Sequence, residues 1–442
     1  DWAANKVVYQ IFPSRFAASQ PVDKKLWYKA PITPMDDLHG DFRGIIDHLD
    51  HIQDLGIDVI YMTPSFKSNS CHKYDTIDYY EIDPSFGTKE ELKELVQKAH
   101  DRGMKVVMDA VFNHTGKEFF AFKDILEKGE KSKYLDWYYI DELPLKGKWG
   151  EIPNFLCFGY YGGMPKLNLK NPEVEKYITD VACYWIKECD IDGWRLDVGD
   201  EISHFFWKNF RKAIKAVKKD MLIIGEIWHY AGDFLEGDEW DTVMNYPFYL
   251  NLIDLLADEK ISVSQFVQNL GYLKGRLHKK CYPLMWNLID SHDTARFLHL
   301  CKDNKKKQHL AAAFQLLLPG MPMIYYGDEY AMPGANDPDC RRGMYWDEEY
   351  QDKEMFEWYK RLLQVRKAHT CIVEGELAEA ITRDEDETIV LIRKNGEETI
   401  ALIFNCSNHT KEFKEYAQKQ ELLTEKVFDG KVEALDAAVI VL

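Results

Sequence analysis

The stretch VEKYITDVACYWIKECDIDGWRLD, residues 174–197, is where the fold becomes readable. Val174 to Cys189 carries the pattern of an amphipathic helix, a polar stop follows, and Gly193-Trp194-Arg195-Leu196 reads as a short strand closed by Asp197. The same phrase recurs on both sides. Downstream, Phe205 to Val217 precedes Leu222-Ile223-Ile224-Gly225, which Glu226 closes. Upstream, Glu90 to Asp101 places Leu92, Leu95, Val96 and Ala99 on one helical face and stops at Gly103, where a left-handed cap costs little. Lys105-Val106-Val107-Met108 then runs to Asp109. Ile45 to Leu55 stops at Gly56 before Val59-Ile60-Tyr61-Met62, and Leu310 to Leu318 stops at Pro319-Gly320 before Met323-Ile324-Tyr325-Tyr326. Val7 to Phe12, Thr242 to Asn245 and Leu284 to Leu288 complete eight strands, most of them apolar throughout. Such strands alternating with helices imply a parallel sheet covered on both faces. Eight of them predict an α/β fold of the (β/α)8 TIM-barrel class, with a doubly wound open sheet as the alternative.

Two segments break the alternation. Thr115 to Leu169 is long and rich in glycine, proline and aromatics (Trp137, Tyr138, Tyr139, Trp149, Phe155, Phe158), and is expected to form a small inserted domain at the rim of the barrel. Toward the end, Thr388-Ile389-Val390-Leu391-Ile392 and Thr399-Ile400-Ala401-Leu402-Ile403-Phe404 flank the hairpin signal Asn395-Gly396, and Asp429-Gly430 suggests another. The expected domains are a barrel from 1–114 and 170–369, an insertion at 115–169, and an antiparallel β-sandwich at 370–442. The last is expected to pack against the barrel, with carbohydrate binding as the sharper alternative.

Hydrophobic residues make up 46% and aromatics 14% of the 442 residues, enough for a sizeable core. A formal charge of −18 argues against a nucleic-acid partner and against an anionic membrane, and no run of apolar residues is long enough to span a bilayer. A neutral partner, such as a sugar, fits best. Nine cysteines stand singly with no CxxC pair, as expected of free thiols in a reducing, cytoplasmic compartment rather than a secreted protein. The sequence opens with Asp1 and not methionine, so a trimmed leader or domain is also among the expectations.

The chemistry lies where the strands end. Asp109, Asp197, Glu226 and Asp293 would gather at one rim of a parallel barrel, and hydrolysis of a glycosidic bond needs paired carboxyls. Arg195 and Asp197 lie two apart in a strand, so both leave one face, with Trp194 and Leu196 opposite. A guanidinium beside Asp197 would keep it ionised, as a nucleophile must be. Glu226, crowded by apolar and acidic neighbours, would hold a proton for the leaving oxygen. Asp293, paired with His292 on a loop two strands further on, would bind sugar hydroxyls. Taken singly, each acid could equally be a helix cap or a surface ion pair.

Four motifs, Asp109-Ala110-Val111-Phe112-Asn113-His114, Gly193-Trp194-Arg195-Leu196-Asp197, Gly225-Glu226-Ile227-Trp228 and Asp290-Ser291-His292-Asp293, give the chain a resemblance to the α-amylase family of glycoside hydrolases across nearly its whole length. The resemblance implies that Asp197 is the nucleophile, Glu226 the acid/base and Asp293 the transition-state stabiliser, with Arg195, His114 and His292 around the cleaved sugar. It also implies a retaining mechanism, with the two catalytic carboxyls about 5–5.5 Å apart. Met164-Pro165-Lys166-Leu167-Asn168 resembles the signature of the neopullulanase, cyclomaltodextrinase and maltogenic amylase subfamily. Trp228, His72-Lys73-Tyr74-Asp75-Thr76, Gly327-Asp328-Glu329 and Asp337-Pro338-Asp339-Cys340-Arg341-Arg342 are similar to that group as well. Tyr74, Trp228, Asp339 and Arg342 are therefore expected to bind substrate, Tyr74 as a platform for a terminal sugar ring; for Tyr74 the alternative is ordinary packing.

The implied activity is hydrolysis of α-1,4 and possible α-1,6 bonds in maltooligosaccharides, starch, pullulan or cyclodextrins. An exo-α-glucosidase, a transglycosylase, and a non-catalytic amylase-like scaffold are the competing readings; the last tends to lose the acids and to carry a membrane span. Two departures stand out. The subfamily usually begins with an extra β-rich domain that aids dimerisation, whereas here the first strand begins within ten residues of Asp1, which leaves the oligomeric state open. Relatives also bind calcium through an Asn/Asp-rich loop after the first strand with a later Gly and Asp. Gly40 and Asp41 are present, but the loop from Ala17 to Asp23 keeps only one acid, so no metal is expected at that position. The chemistry itself requires no cofactor.

Overall fold

The protein, seen in a computed structural model that describes residues 2–442, is built on a closed barrel of eight parallel strands. These are β1 (Val8–Ile11), β2 (Val59–Met62), β3 (Lys105–Ala110), β4 (Gly193–Leu196), β5 (Leu222–Gly225), β6 (Thr242–Asn245), β7 (Trp286–Asn287) and β8 (Met321–Tyr325). Each pairs in parallel with the next, and β8 closes on β1 through Val8–Met323 and Tyr9–Ile324. The expected barrel is therefore present, and the open-sheet alternative is not. β7 is shorter than the expected Leu284 to Leu288, because residues 282–284, with Pro283 in the middle, coil into a 3-10 turn, and β1 falls one residue short at each end of the expected Val7 to Phe12.

Strand period sorts the side chains. Val8, Val59, Val107, Leu222, Ile224, Met244, Trp286 and Met323 fill the barrel interior, while Tyr9, Ile60, Val106, Trp194, Ile223 and Ile324 pack outward against the helices. Along the inward face the chemistry changes with height: Val107 is followed two residues later by Asp109, Gly193 by Arg195 and then Asp197, and Ile224 by Glu226. The lower layers are an apolar core and the top layer is charged, so the functional rim is the C-terminal end of the strands.

Residues 115–169 hold the helix Phe120–Lys128, three 3-10 turns and isolated bridges such as Ile140–Phe155 and Cys157–Pro165. Phe122 meets Tyr138 and Phe155 edge-on at 5.0 and 5.1 Å, so the aromatics of the insertion form a core of its own. A second excursion, absent from the sequence reading, follows β2: Phe66–Ser68 and Thr76–Ile82 pair as an antiparallel hairpin that presents Tyr74.

At the C-terminus, Glu376–Arg383, Thr388–Asn395, Glu398–Asn405 and Asp436–Val441 form an antiparallel sheet extended by two short strands. Asn395-Gly396 makes the expected hairpin, with Gly396 at φ +62°. Asp429-Gly430 does not. The strands flanking it pair with different partners, Lys426–Val427 with Gln420–Glu421 and Lys431–Val432 with Lys411–Glu412. One face of the sheet packs on the barrel helices, where Phe404 stacks on Phe314 at 4.2 Å. The other face is closed by Phe413, Tyr416, Phe428 and Val432, so the second layer of the expected sandwich is a two-stranded ribbon with loops. All nine cysteines are unpaired, and among the described residues no helix is long and apolar enough to cross a membrane.

Candidate active site

Arg195 is the hub of the barrel mouth. Its Nη1 donates to both oxygens of Asp109 (3.1 and 3.0 Å) and to Asp197 Oδ1 (2.9 Å). Its Nη2 lies 2.9 Å from Glu226 Oε2 and 3.9 Å from Asp293 Oδ2. One fixed guanidinium thus gathers carboxyls from β3, β4, β5 and the loop after β7, as the planar fork of arginine allows.

Two of these carboxyls, Asp109 and Asp197, bind protons more tightly than free acids. Burial pushes the Asp109 carboxyl up to about 6, although Arg195 and the Tyr61 hydroxyl (2.6 Å) pull the other way. Asp197 also sits above the ordinary carboxylate range, through burial and then the charge of Glu226, with Arg195 opposing. Arg195 favours the ionised form of Asp197, as expected, but its charge is divided among several acids and desolvation opposes it.

Glu226 is held at both oxygens. The Val198 N–H donates to Oε2 (2.9 Å) and Trp228 Nε1 to Oε1 (3.1 Å). Val198 aims that N–H because it sits at φ +47°, a left-handed conformation that a β-branched residue adopts only under constraint. Gly225 is required one residue earlier, since a Cβ there would overlap the Trp240 indole. Trp228 stacks on Tyr246 at 3.8 Å and leaves its other face, 41% exposed, to the cleft.

A relay of hydrogen bonds crosses the mouth. Gln10 Nε2 donates to His292 Nδ1 (2.6 Å), His292 Nε2 donates to the Tyr74 hydroxyl (2.6 Å), and Tyr74 donates to Asp109 (3.0 Å). The relay needs a neutral imidazole, and burial followed by the charges of Arg341 and Arg195 depresses the His292 ring well below its usual value. Tyr74 and His292 lie parallel within 4°, with ring centres 5.6 Å apart. His114 donates from Nε2 to the Tyr74 carbonyl (3.0 Å), stacks on Phe158 at 5.2 Å, and is lowered to about 4 by burial.

A cleft of about 320 Å³ is bounded by Tyr74, His114, Asp197, Glu226, Trp228 and Asp293. Arg195 and His292 lie directly beneath. Asp339 and Arg342 are not brought to this cleft: Arg342 clamps Asp339 through two bonds (2.8 and 2.6 Å), and Asp339 also accepts from the Ile32 and Ala335 backbone. The tight 3-10 turn at 339–341 sends neighbouring side chains in different directions, so Asp337 and Arg341 face the cleft instead. Arg341 reaches Asp337 (2.8 Å), Asp293 (3.5 Å) and the His292 carbonyl (2.8 Å). Gln10, Tyr61, Asp337, Arg341 and Val198 were missed as site residues. Period two from Val8 flags Gln10, whereas the run from Asp337 to Arg342 points to Asp339 and Arg342 in the sequence and gives no local signal for Asp337 and Arg341.

The two acids at the position considered for a cation, Asp41 and Asp23, serve as helix caps. Asp41 caps the helix Phe42–Asp47, accepting from Gly44 N–H (2.6 Å), Ser19 N–H (3.2 Å) and the Ser19 hydroxyl (2.6 Å). Asp23 accepts from Lys25 N–H (2.7 Å), and among the described residues no three acidic, His or Cys side chains converge as ligands.

A barrel with paired carboxyls at its mouth defines a class, and comparison with known proteins makes it specific. The family profile described as alpha amylase, catalytic domain, matches residues 10–351. A cyclomaltodextrinase of Geobacillus thermopakistaniensis (strain MAS1) is 47% identical over 416 residues, covering 93% of this chain and 70% of that protein. Among solved structures, a cyclomaltodextrinase superposes with a TM-score of 0.94 at 38% identity, covering 99% of this chain and 78% of that one. A cyclic α-maltosyl-(1→6)-maltose hydrolase of Arthrobacter globiformis, in complex with that sugar, gives 0.91 at 35% identity and covers 100% and 99%. The chain belongs to the alpha-amylase family of glycoside hydrolases.

Proposed function

We propose that the protein hydrolyses α-1,4-glucosidic bonds, and α-1,6 bonds where they occur, in maltooligosaccharides, cyclodextrins and pullulan, with retention at the anomeric carbon. The observation that carries this reading is the single guanidinium of Arg195, which holds Asp197 and Glu226 together beneath one small cleft. A volume of about 320 Å³ lies at the lower end of ligand pockets, ~300–1,000 Å³, and suits a short or curved glucan.

In the first step a carboxylate oxygen of Asp197 attacks the anomeric carbon as the exocyclic C–O bond breaks. Glu226 gives its proton to the departing oxygen. In the second step Glu226, now ionised, takes a proton from water; the water oxygen displaces Asp197 and restores the starting state. Asp293 and Tyr74 line the same cleft as the two catalytic carboxyls and both contact His292, so we assign this group to binding the sugar hydroxyls and favouring its flattened transition state. Arg195 spreads positive charge over the acids and fixes their spacing. No cofactor takes part, and nine unpaired thiols support a reducing compartment.

Glu226→Gln and Asp197→Asn are expected to lower kcat on maltotriose by on the order of 10³-fold or more, with unchanged circular dichroism. Near-native turnover in either variant would refute the assignment. Panose from pullulan supports the hydrolase reading, whereas glucose alone would favour an exo-glucosidase and lengthened maltooligosaccharides a transglycosylase.

A further inference from the structure

We propose that the tip of the inserted segment, formed by Trp149, Ile152, Tyr160 and Tyr161, is a second contact surface for an α-glucan, taking glucosyl units that extend beyond the cleft. Trp149 is 92% exposed, Tyr160 90% and Ile152 89%, while Tyr161 is half exposed and meets Trp149 edge-on at 6.4 Å. Large apolar side chains in solvent are common singly, but a cluster of them marks a place where something binds.

Tyr160 carries a second sign. It sits at φ +58° immediately after Gly159, also at φ +58°, so two successive left-handed residues turn the chain and hold a bulky aromatic outward. The turn is fixed by three backbone bonds: Phe158 N–H to Met164 O, Tyr161 N–H to Phe158 O, and Met164 N–H to Tyr161 O, all 3.0 Å. Its base is therefore the cleft wall itself, since Phe158 and Met164 both line the cleft and Phe158 stacks on His114. Phe158 at the cleft wall lies two residues before Tyr160 in this turn, and Tyr161, paired with Trp149, follows directly, so the exposed aromatics continue from the cleft edge.

That continuity selects the occupant. Glucose rings present apolar faces that suit flat aromatics, and such contacts need no charge. The inference rests on the glucan-hydrolase reading, and its test separates the two. The double variant Trp149→Ala/Tyr160→Ala is compared with wild type on maltotriose and on soluble starch, and both are run in native gels containing soluble starch. The expected result is an unchanged kcat/KM on maltotriose, a KM on starch raised about 3–10-fold at unchanged kcat, and loss of retardation in the starch gel. Equal KM values and equal retardation on starch, from a wild type that cleaves maltotriose, would overturn the inference alone. So would a wild-type dimer that the double variant converts to a monomer without any chain-length effect, because the patch would then be a contact between copies. A wild type inert on both substrates would overturn the hydrolase reading beneath it.

Discussion

Asp109 shows how much one buried carboxyl can weigh. It is fully enclosed, accepts from Arg195, Tyr61 and Tyr74, and holds its proton up to about 6. Its unfolded counterpart titrates near ~3.9, so between those values the folded state binds more protons and stability falls as pH rises. The stabilising contribution is present in full below the unfolded value and is gone once pH has passed the folded one. Asp109→Asn is expected to flatten urea-unfolding stability between those two pH values, while leaving the Tyr61 and Tyr74 contacts an acceptor. A variant with the wild-type slope would show that the proton resides elsewhere in the cluster. Asp109 was legible as one of the four acids, because it closes an apolar run. Its role as the shared acceptor for two tyrosines and the arginine was not, since those partners come from β2, the hairpin after it and β4.

At the level of elements, the ends of strands do the positioning. Gly225 closes β5 against Trp240 and delivers Glu226 to the mouth; any Cβ forces the strand end or the indole to move. Gly225→Ala is expected to lower kcat on maltotriose by about 10²-fold, as small displacements of a catalytic group do, with a modest loss of stability. Unchanged kcat would mean that the strand end has slack. Strands and helices were readable because continuous apolar runs and 3.6-residue spacing are local signals. The hairpin 66–82 was not, because its register shifts break the alternation that would reveal it. Asp429-Gly430 does not close a hairpin, because the strands on its two sides pair with different partners, one in the sheet and one in the ribbon that covers it. Asp339 and Arg342 were mistaken for ligand-facing residues for a related reason: within one tight turn, period says little about direction.

At the level of the whole molecule, the barrel is locked by its neighbours. Phe404 is buried between the C-terminal sheet and the helix Lys305–Leu317, stacked on Phe314. Phe404→Ala is expected to cost about 3–5 kcal/mol, read as a lowered urea midpoint with kcat on maltotriose intact at low temperature. A midpoint unchanged from wild type would mean that the sheet is not coupled to the barrel. The acids around Asp41 and Asp23 are committed to helix caps, so prolonged treatment with a chelator is expected to leave both activity and the melting temperature unchanged. A drop restored by calcium alone would place a cation in the structure after all.

The sequence by itself determined the barrel, the identity of its charged rim and the inserted segment, because each rests on local periodicity or on residues adjacent in the chain. Two apart in one strand, Arg195 and Asp197 had to share a face. Only the tertiary structure decided that Arg195 serves four acids at once, that Asp337 and Arg341 rather than Asp339 and Arg342 reach the cleft, and that Tyr74 lies parallel to His292. These are contacts between residues tens to hundreds of positions apart. Charge sharing and desolvation follow from closure of the barrel, which no window of sequence contains.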